Sequence, residues 1–109
     1  MDSNIFQLTD NLGNKNIQKA LEILKELLYQ GEAIQKISIT LYNHFKKLYI
    51  VKLAEKYKKD LATSMNLKPN QTFLLGKYRT QAKYFTEEDI RNILDDMIEL
   101  DTNYKIRTN

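Results

Sequence analysis

The chain has 109 residues, 42% of them hydrophobic and 28% charged, with three glycines and a single proline. That is enough chain for one globular domain with a real core and too little for two, and the composition argues against disorder. The absence of cysteine excludes disulfides, thiolate metal sites and a cysteine nucleophile, and points to a reducing, intracellular compartment. No apolar run approaches the ~18 residues of a membrane span, and the N-terminus lacks a charged-then-apolar secretory pattern, so neither membrane nor signal is expected.

The net charge of +3 is unevenly spread. Between Lys36 and Lys83 there are eleven Lys or Arg against Glu55 and Asp60, a local balance of +9. From Thr86 to Asp101 seven acids face only Arg91, a local balance of −6. The pattern fits two sides with different partners, a basic surface neutralised by its neighbour, or simply the solvated faces of a bundle.

Residues 4–12 predict a short helix capped by Ser3 or Asp2, with Ile5, Phe6, Thr9 and Leu12 on one side and Gly13 as a left-handed stop. A second helix begins near Asn16, capped by Asn14, buries Ile17, Ala20, Leu21, Leu24, Leu27 and Leu28, and ends at Gly31. The stretch from Ala33 to about Lys58 predicts a long helix, apolar over most of its circumference. Ile34, Ile37, Leu41, Phe45 and Leu48 form its stripe, flanked by Tyr42, Tyr49, Leu53 and Val51. A helix so apolar must be wrapped by neighbours, and the short link before it predicts an antiparallel hairpin with the second helix.

Asp60 then caps a brief helix from Leu61 to Met65, and Pro69 opens a fifth. The fifth carries Leu74, Tyr78, Ala82 and Phe85 along its buried side, while Lys77, Thr80, Lys83 and Tyr84 occupy the far side. Gly76 within it costs about 1 kcal/mol against Ala, which suggests close backbone packing there. The last helix has the clearest start: Thr86 as cap, Asp89 completing a capping box, and Phe85 with Ile90 as a hydrophobic staple. Ile90, Ile93, Leu94, Met97, Leu100 and Tyr104 continue its stripe. No stretch shows sustained alternation, so the expected fold is all-α: a small bundle of five to six helices forming a single domain over residues 1–109.

Catalytic chemistry is thinly provided. His44 is the sole histidine and has no second ligand to make a zinc site with. Asp95, Asp96 and Glu99 cluster on the last helix, but no oxygen-rich loop accompanies them, so they read as a solvated face. Gly13 and Gly31 are isolated helix stops rather than a phosphate-cradling loop. No enzyme activity, cofactor, metal or small-molecule substrate is expected. Lys52 projects from the apolar stripe, either with its stem packed and its amine reaching water or as a buried switch or partner-binding charge. Tyr84, Tyr29 and Tyr57 fall off the core stripes and could anchor an interface.

Leu61 to Phe85 superficially reads as helix–turn–helix, which would set Asn70 and Gln71 in a DNA major groove. Against that, Phe73, Leu74 and Leu75 are apolar where a recognition helix is polar. A better match starts from Asn66-Leu67-Lys68-Pro69, Lys77, Gln81-Ala82-Lys83 and Phe85-Thr86 before an acidic helix start. That order resembles the C-terminal domain of the bacterial DNA polymerase III delta subunit, where the pattern is roughly L-G-L-x-P, a basic helix, Q-A-R-x-F-[ST] and a final acidic-apolar helix. Asn4 to Asp10 is similar to that family's opening helix, Leu27 to Glu32 to its helix stop, and Phe45, Leu48 and Val51-Lys52 to its long helix.

There are departures. Asn66 stands in place of a glycine, and Asn is the next best left-handed residue. Lys83 replaces an arginine, and Lys46 and Lys47 stand near another, which weakens bidentate contacts. The chain ends at Ile106-Arg107-Thr108-Asn109, where the family continues into one more helix. It also carries no counterpart of the family's clamp-binding and lid domains, so the expectation is an excised fragment, with Met1 an added start.

The resemblance implies a collar domain of the clamp loader, the bacterial cytoplasmic assembly that opens the sliding clamp and places it on primed DNA. Its partners would be the gamma/tau and delta-prime type subunits, with clamp and DNA reached only through the full-length subunit. The interface candidates are Lys77, Thr80, Lys83 and Tyr84 on the fifth helix, with Lys36, Asn43 and Lys47 on the long one. The alternatives are the helix–turn–helix reading and a helical adaptor unrelated to replication.

Overall fold

The computed structural model describes the backbone of residues 3–108 and the side chains of residues 4–101. It contains α1 (Ser3–Gly13), α2 (Ile17–Tyr29), α3 (Ile34–Lys56), α4 (Leu61–Ser64), a 3-10 turn (Pro69–Gln71), α5 (Leu74–Ala82) and α6 (Glu87–Thr108). No strand occurs among the described residues, so the fold is all-α. The long helix α3 is the shared support: α1, α4, α5 and α6 all pack on it.

The core falls into two clusters along α3. Its N-terminal part contributes Ile37 to an aliphatic group with Ile5 and Leu8 of α1 and Ala20, Ile23 and Leu27 of α2. The rest of α3 supplies Phe45, Leu48, Val51 and Ala54 to a larger group with Leu61, Tyr78, Ala82, Phe85, Ile90 and Leu94. Here Phe45 and Phe85 meet edge-on at 5.6 Å between ring centres, a favourable aromatic geometry.

Local chemistry sets most boundaries. The Asp60 carboxylate accepts from Thr63 N at 2.9 Å and caps α4. Thr86 Oγ1 accepts from Asp89 N at 3.0 Å and Asp89 Oδ2 from Thr86 N at 3.1 Å, closing the expected box. Gly31 stops α2 with φ +86°, and Asn66 takes φ 54° in the turn where the family pattern has glycine.

Several expectations are corrected. The helix pair is α1–α2 rather than an α2–α3 hairpin, because Ala20 lets α1 lie close against α2. Consequently the α2 stripe is split: Ala20, Ile23 and Leu27 are buried while Ile17, Leu21 and Leu28 face out. On α1 the buried side carries Ile5, Leu8 and Thr9, and Phe6 is exposed, so the stripe runs one residue further round than expected. Ile34 also faces out, at the open start of α3.

Gly13 is not the left-handed residue of its turn; Lys15 is, at φ 58°. Gly13 is instead buried, and a Cβ there would overlap the Gln81 carboxamide and sit 3.1 Å from His44 Nε2. Gly76, expected at a close approach, is exposed with open space around it. Asn14 does not cap α2. Asn16 holds that position without a side-chain cap, and its amide donates instead to Asn11 Oδ1 at 3.2 Å. Pro69 opens only the 3-10 turn, and α5 begins later, at Leu74. On α6, Leu100 is exposed, and the side chain of Tyr104 lies outside the described residues.

Candidate functional site

Three helices bring polar side chains to one place, each through helical spacing. From α3 come Thr40, Asn43, His44 and Lys47, at the i, i+3, i+4, i+7 positions of a single stripe. From α1 come Phe6, Thr9 and Asp10, and from α5 Lys77, Tyr78 and Gln81. Phe6, Thr9, Thr40, Asn43, His44, Lys47, Lys77 and Tyr78 line a cavity of about 230 Å³.

Behind the cavity wall runs a hydrogen-bonded chain. His44 Nε2 lies 2.6 Å from Gln81 Oε1, both buried. Gln81 Nε2 donates to Asp10 Oδ1 at 3.3 Å, so its amide oxygen is the acceptor for histidine and Nε2 carries the proton. Lys77 Nζ lies 3.3 Å from Asp10 Oδ1 and closes the chain. No buried side-chain nitrogen or oxygen among the described residues lacks a hydrogen bond, and His44 itself contributes to the lining of the cavity. The missing side chain at Gly13 is what leaves Gln81 the room to make its bond.

Burial, first of all, pulls the His44 pKa below its ordinary value, with Lys77 and Lys47 adding to the effect. The Gln81 bond and the Asp10 charge act the other way. The ring is therefore held neutral. Burial likewise raises the Tyr78 phenol, helped by Asp10. Both lysines lean on the Tyr78 ring, with Lys47 Nζ 5.7 Å and Lys77 Nζ 5.5 Å from its centre.

The seven interface candidates thus separate. Asn43, Lys47 and Lys77 converge on the cavity, although Lys77 is half-buried and paired with α1 rather than free on a far side. Thr80, Lys83 and Tyr84 stay exposed at the end of α5 and just beyond it. Lys36 stands apart, 3.7 Å from Glu32. Lys52 is half-exposed and pairs with no acid among the described residues. Tyr29 and Tyr57 are exposed. Asp95, Asp96 and Glu99 are exposed along α6, and no group of three or more metal-ligating side chains gathers among the described residues.

In the sequence, Gln81 and Asp10 stand out only as parts of a family pattern. The signal for Gln81 is a polar residue beside Ala82 and three residues after Tyr78, at core spacing. Asn70 and Gln71 do not lie on α5 at all, and the Gln71 side chain is used in accepting from Lys68 N at 3.1 Å. That takes the two residues named in the DNA-reading alternative off the helix that would present them.

Comparison with known proteins agrees with this architecture. The family model described as DNA polymerase III delta subunit, C-terminal domain, matches residues 2–109. The chain is 29% identical over 111 residues to DNA polymerase III subunit delta of Bacillus subtilis (strain 168), covering 99% of this chain and 30% of that protein. It is 29% identical over 104 residues to a probable DNA polymerase III subunit delta of Aquifex aeolicus (strain VF5), covering 94% of this chain and 30% of that protein. The chain therefore spans less than a third of the length of these relatives, and no solved structure matches it. A match across residues 2–109 shows that the chain belongs to the family formed by the C-terminal domains of DNA polymerase III delta subunits.

Proposed function

We propose that this domain is the collar piece of a clamp-loader delta subunit, holding that subunit beside its gamma/tau and delta-prime type neighbours. It makes and breaks no bonds itself. Sliding clamp and primed DNA are engaged by the complete subunit and its partners, in the bacterial cytoplasm.

The observation that carries this reading is the exposed aromatic and aliphatic surface on a packed helical block. Phe73 precedes α5, Lys83 and Tyr84 follow it at the other end, and Ile17, Leu21 and Leu28 form an outward row on α2. Interfaces concentrate aromatic anchors and apolar area in this way, and charge at the rim selects the partner.

The test is assembly. The complete subunit, with and without this region, is mixed with the other loader subunits, and complex formation is followed by native mass spectrometry. Removal of the region should abolish assembly. The double variant Lys83→Ala/Tyr84→Ala should weaken assembly about tenfold, the scale of one interface anchor, without lowering the melting temperature. Wild-type assembly by both proteins would end this reading.

A further inference from the structure

The cavity between α1, α3 and α5 holds more positive charge than the domain itself neutralises. Lys47 and Lys77 approach the same Tyr78 ring, at 5.7 and 5.5 Å from its centre, although like charges repel. A single carboxylate, Asp10, answers them, and it is engaged by Lys77 and Gln81. Lys47 has no acidic partner among the described residues. Around the remaining charge stand Asn43 and His44, and the exposed Phe6 adds an apolar side chain to the lining. A concave site with an unanswered ammonium, an amide and one apolar side chain complements an anion carried on a short hydrocarbon stem. Its volume of about 230 Å³ admits a side chain rather than a polymer.

We propose that this cavity is a socket for the carboxylate of a glutamate or aspartate on the adjoining subunit, with Lys47 as its main contact. The inference rests on the collar reading and assigns the chemistry of the neighbour at this point. Lys47 supplies the ion pair, Asn43 a hydrogen bond, and Phe6 covers the stem. Of the groups facing His44, Asp10 already favours its protonation while Lys47 and Lys77 oppose it. An arriving carboxylate adds to the first effect, so docking moves the His44 pKa upward.

Charge reversal in the complete subunit provides the test. Lys47→Glu should weaken assembly with the other loader subunits about tenfold or more at low salt, and Lys47→Gln by less, because close charge pairs across interfaces couple strongly. Raising the salt should shrink the difference between wild type and Lys47→Gln. A single Glu→Lys or Asp→Lys change on the neighbour should restore assembly to Lys47→Glu. Lys47 is exposed and leans only on the Tyr78 ring, so both variants should fold with at most a small, equal drop in melting temperature. The His44 ring resonances should report a higher pKa in the assembled subunit than in the free one. If Lys47→Glu assembles like wild type while the region-deleted subunit fails to assemble, the socket is overturned and the collar reading stands. If the region-deleted subunit assembles normally, both fall, because no adjoining subunit is left to supply the acid.

Discussion

The two halves of the core are built differently. Around the N-terminal part of α3, two helices share a small aliphatic cluster, and α2 touches the molecule mainly through α1 while Ile17, Leu21 and Leu28 point to solvent. Around the remainder of α3, three helices enclose an aromatic cluster in which Leu48, Val51 and Ile90 are fully buried. Between the halves lies the polar chain His44–Gln81–Asp10–Lys77 rather than more hydrocarbon. A layer covered on one side can close around a lost side chain, and a core enclosed on all sides cannot. The difference teaches that α3 to α6 form the more enclosed part of this domain, and that α1–α2 docks on it through the aliphatic contacts of Ile37 with a polar seam beside them.

The largest effects separate the halves directly. Leu48 is completely inaccessible in the larger cluster, and Leu48→Ala should cost about 4 kcal/mol in urea unfolding. Leu27 is equally apolar and 1% exposed, but Leu27→Ala should cost only about 2–3 kcal/mol, because α2 can settle against α1. Amide exchange should report the same order, with α2 opening before α3 and α6. Equal costs, and equal protection of α2 and α6, would make the molecule one undivided core.

Next comes the seam. Gly13→Ala forces a methyl group into the Gln81 carboxamide and against His44, so the buried bond between them must break. Overpacking and the lost bond together should cost about 2–3 kcal/mol, read as a lower urea midpoint. Adding Gln81→Ala to this variant should recover part of the loss by vacating the space. At Gly76 the sign reverses: Gly76→Ala, with nothing near its Cβ, should be stabilising by the ordinary helix preference.

That contrast shows what the sequence carried and what it hid. Features encoded in neighbouring residues were legible, among them the Thr86–Asp89 box, the Asp60 cap and the turn at Asn66. The long apolar circumference of α3 correctly predicted a helix wrapped by others. The orientation of α2 was not legible, because Ile17-Leu21-Leu28 and Ala20-Ile23-Leu27 are both apolar rows at helical spacing, and only tertiary contact chooses between them. The role of Gly13 was hidden for a similar reason, since its constraint comes from Gln81, far away in the chain. Asn43, Lys47 and Lys77 could each be picked out as polar, but their convergence depends on Asp10 holding Lys77 toward α1.

The seam also carries a pH dependence of definite sign. Burial lowers the His44 pKa in the folded state from its ordinary 6.5, so the folded protein resists taking up a proton that the unfolded chain accepts. The contribution of neutral His44 is therefore full above about pH 6.5 and is lost as pH falls from there through the lower, folded value. Urea midpoints should decline across that interval, and His44→Gln should flatten the decline. Asp60 and Asp89, whose pKa values are lowered by their capping bonds to Thr63 and Thr86, act in a separate window below about 3.8. A decline confined to that acidic window would show that His44 bears no part of the linkage.

The smallest expected effect is the most informative about the outer face of α2. Leu21→Ser exchanges an exposed apolar side chain for a polar one and removes no core contact, since Leu21 stands on the opposite row from Ala20, Ile23 and Leu27. Serine is a weaker helix former than leucine by a few tenths of a kcal/mol, so the melting curve of the chain should move by no more than about 0.5 kcal/mol. Solubility should rise, because the row Ile17-Leu21-Leu28 is interrupted. A loss of several kcal/mol would instead show that this row is packed in solution, by α3 or by a second copy of the chain. Sedimentation at two concentrations separates those cases, since only self-association depends on concentration. If the variant is stable and monomeric, then the outward row serves no purpose in the isolated fold, and the place to look for its use is the surface of a neighbouring subunit.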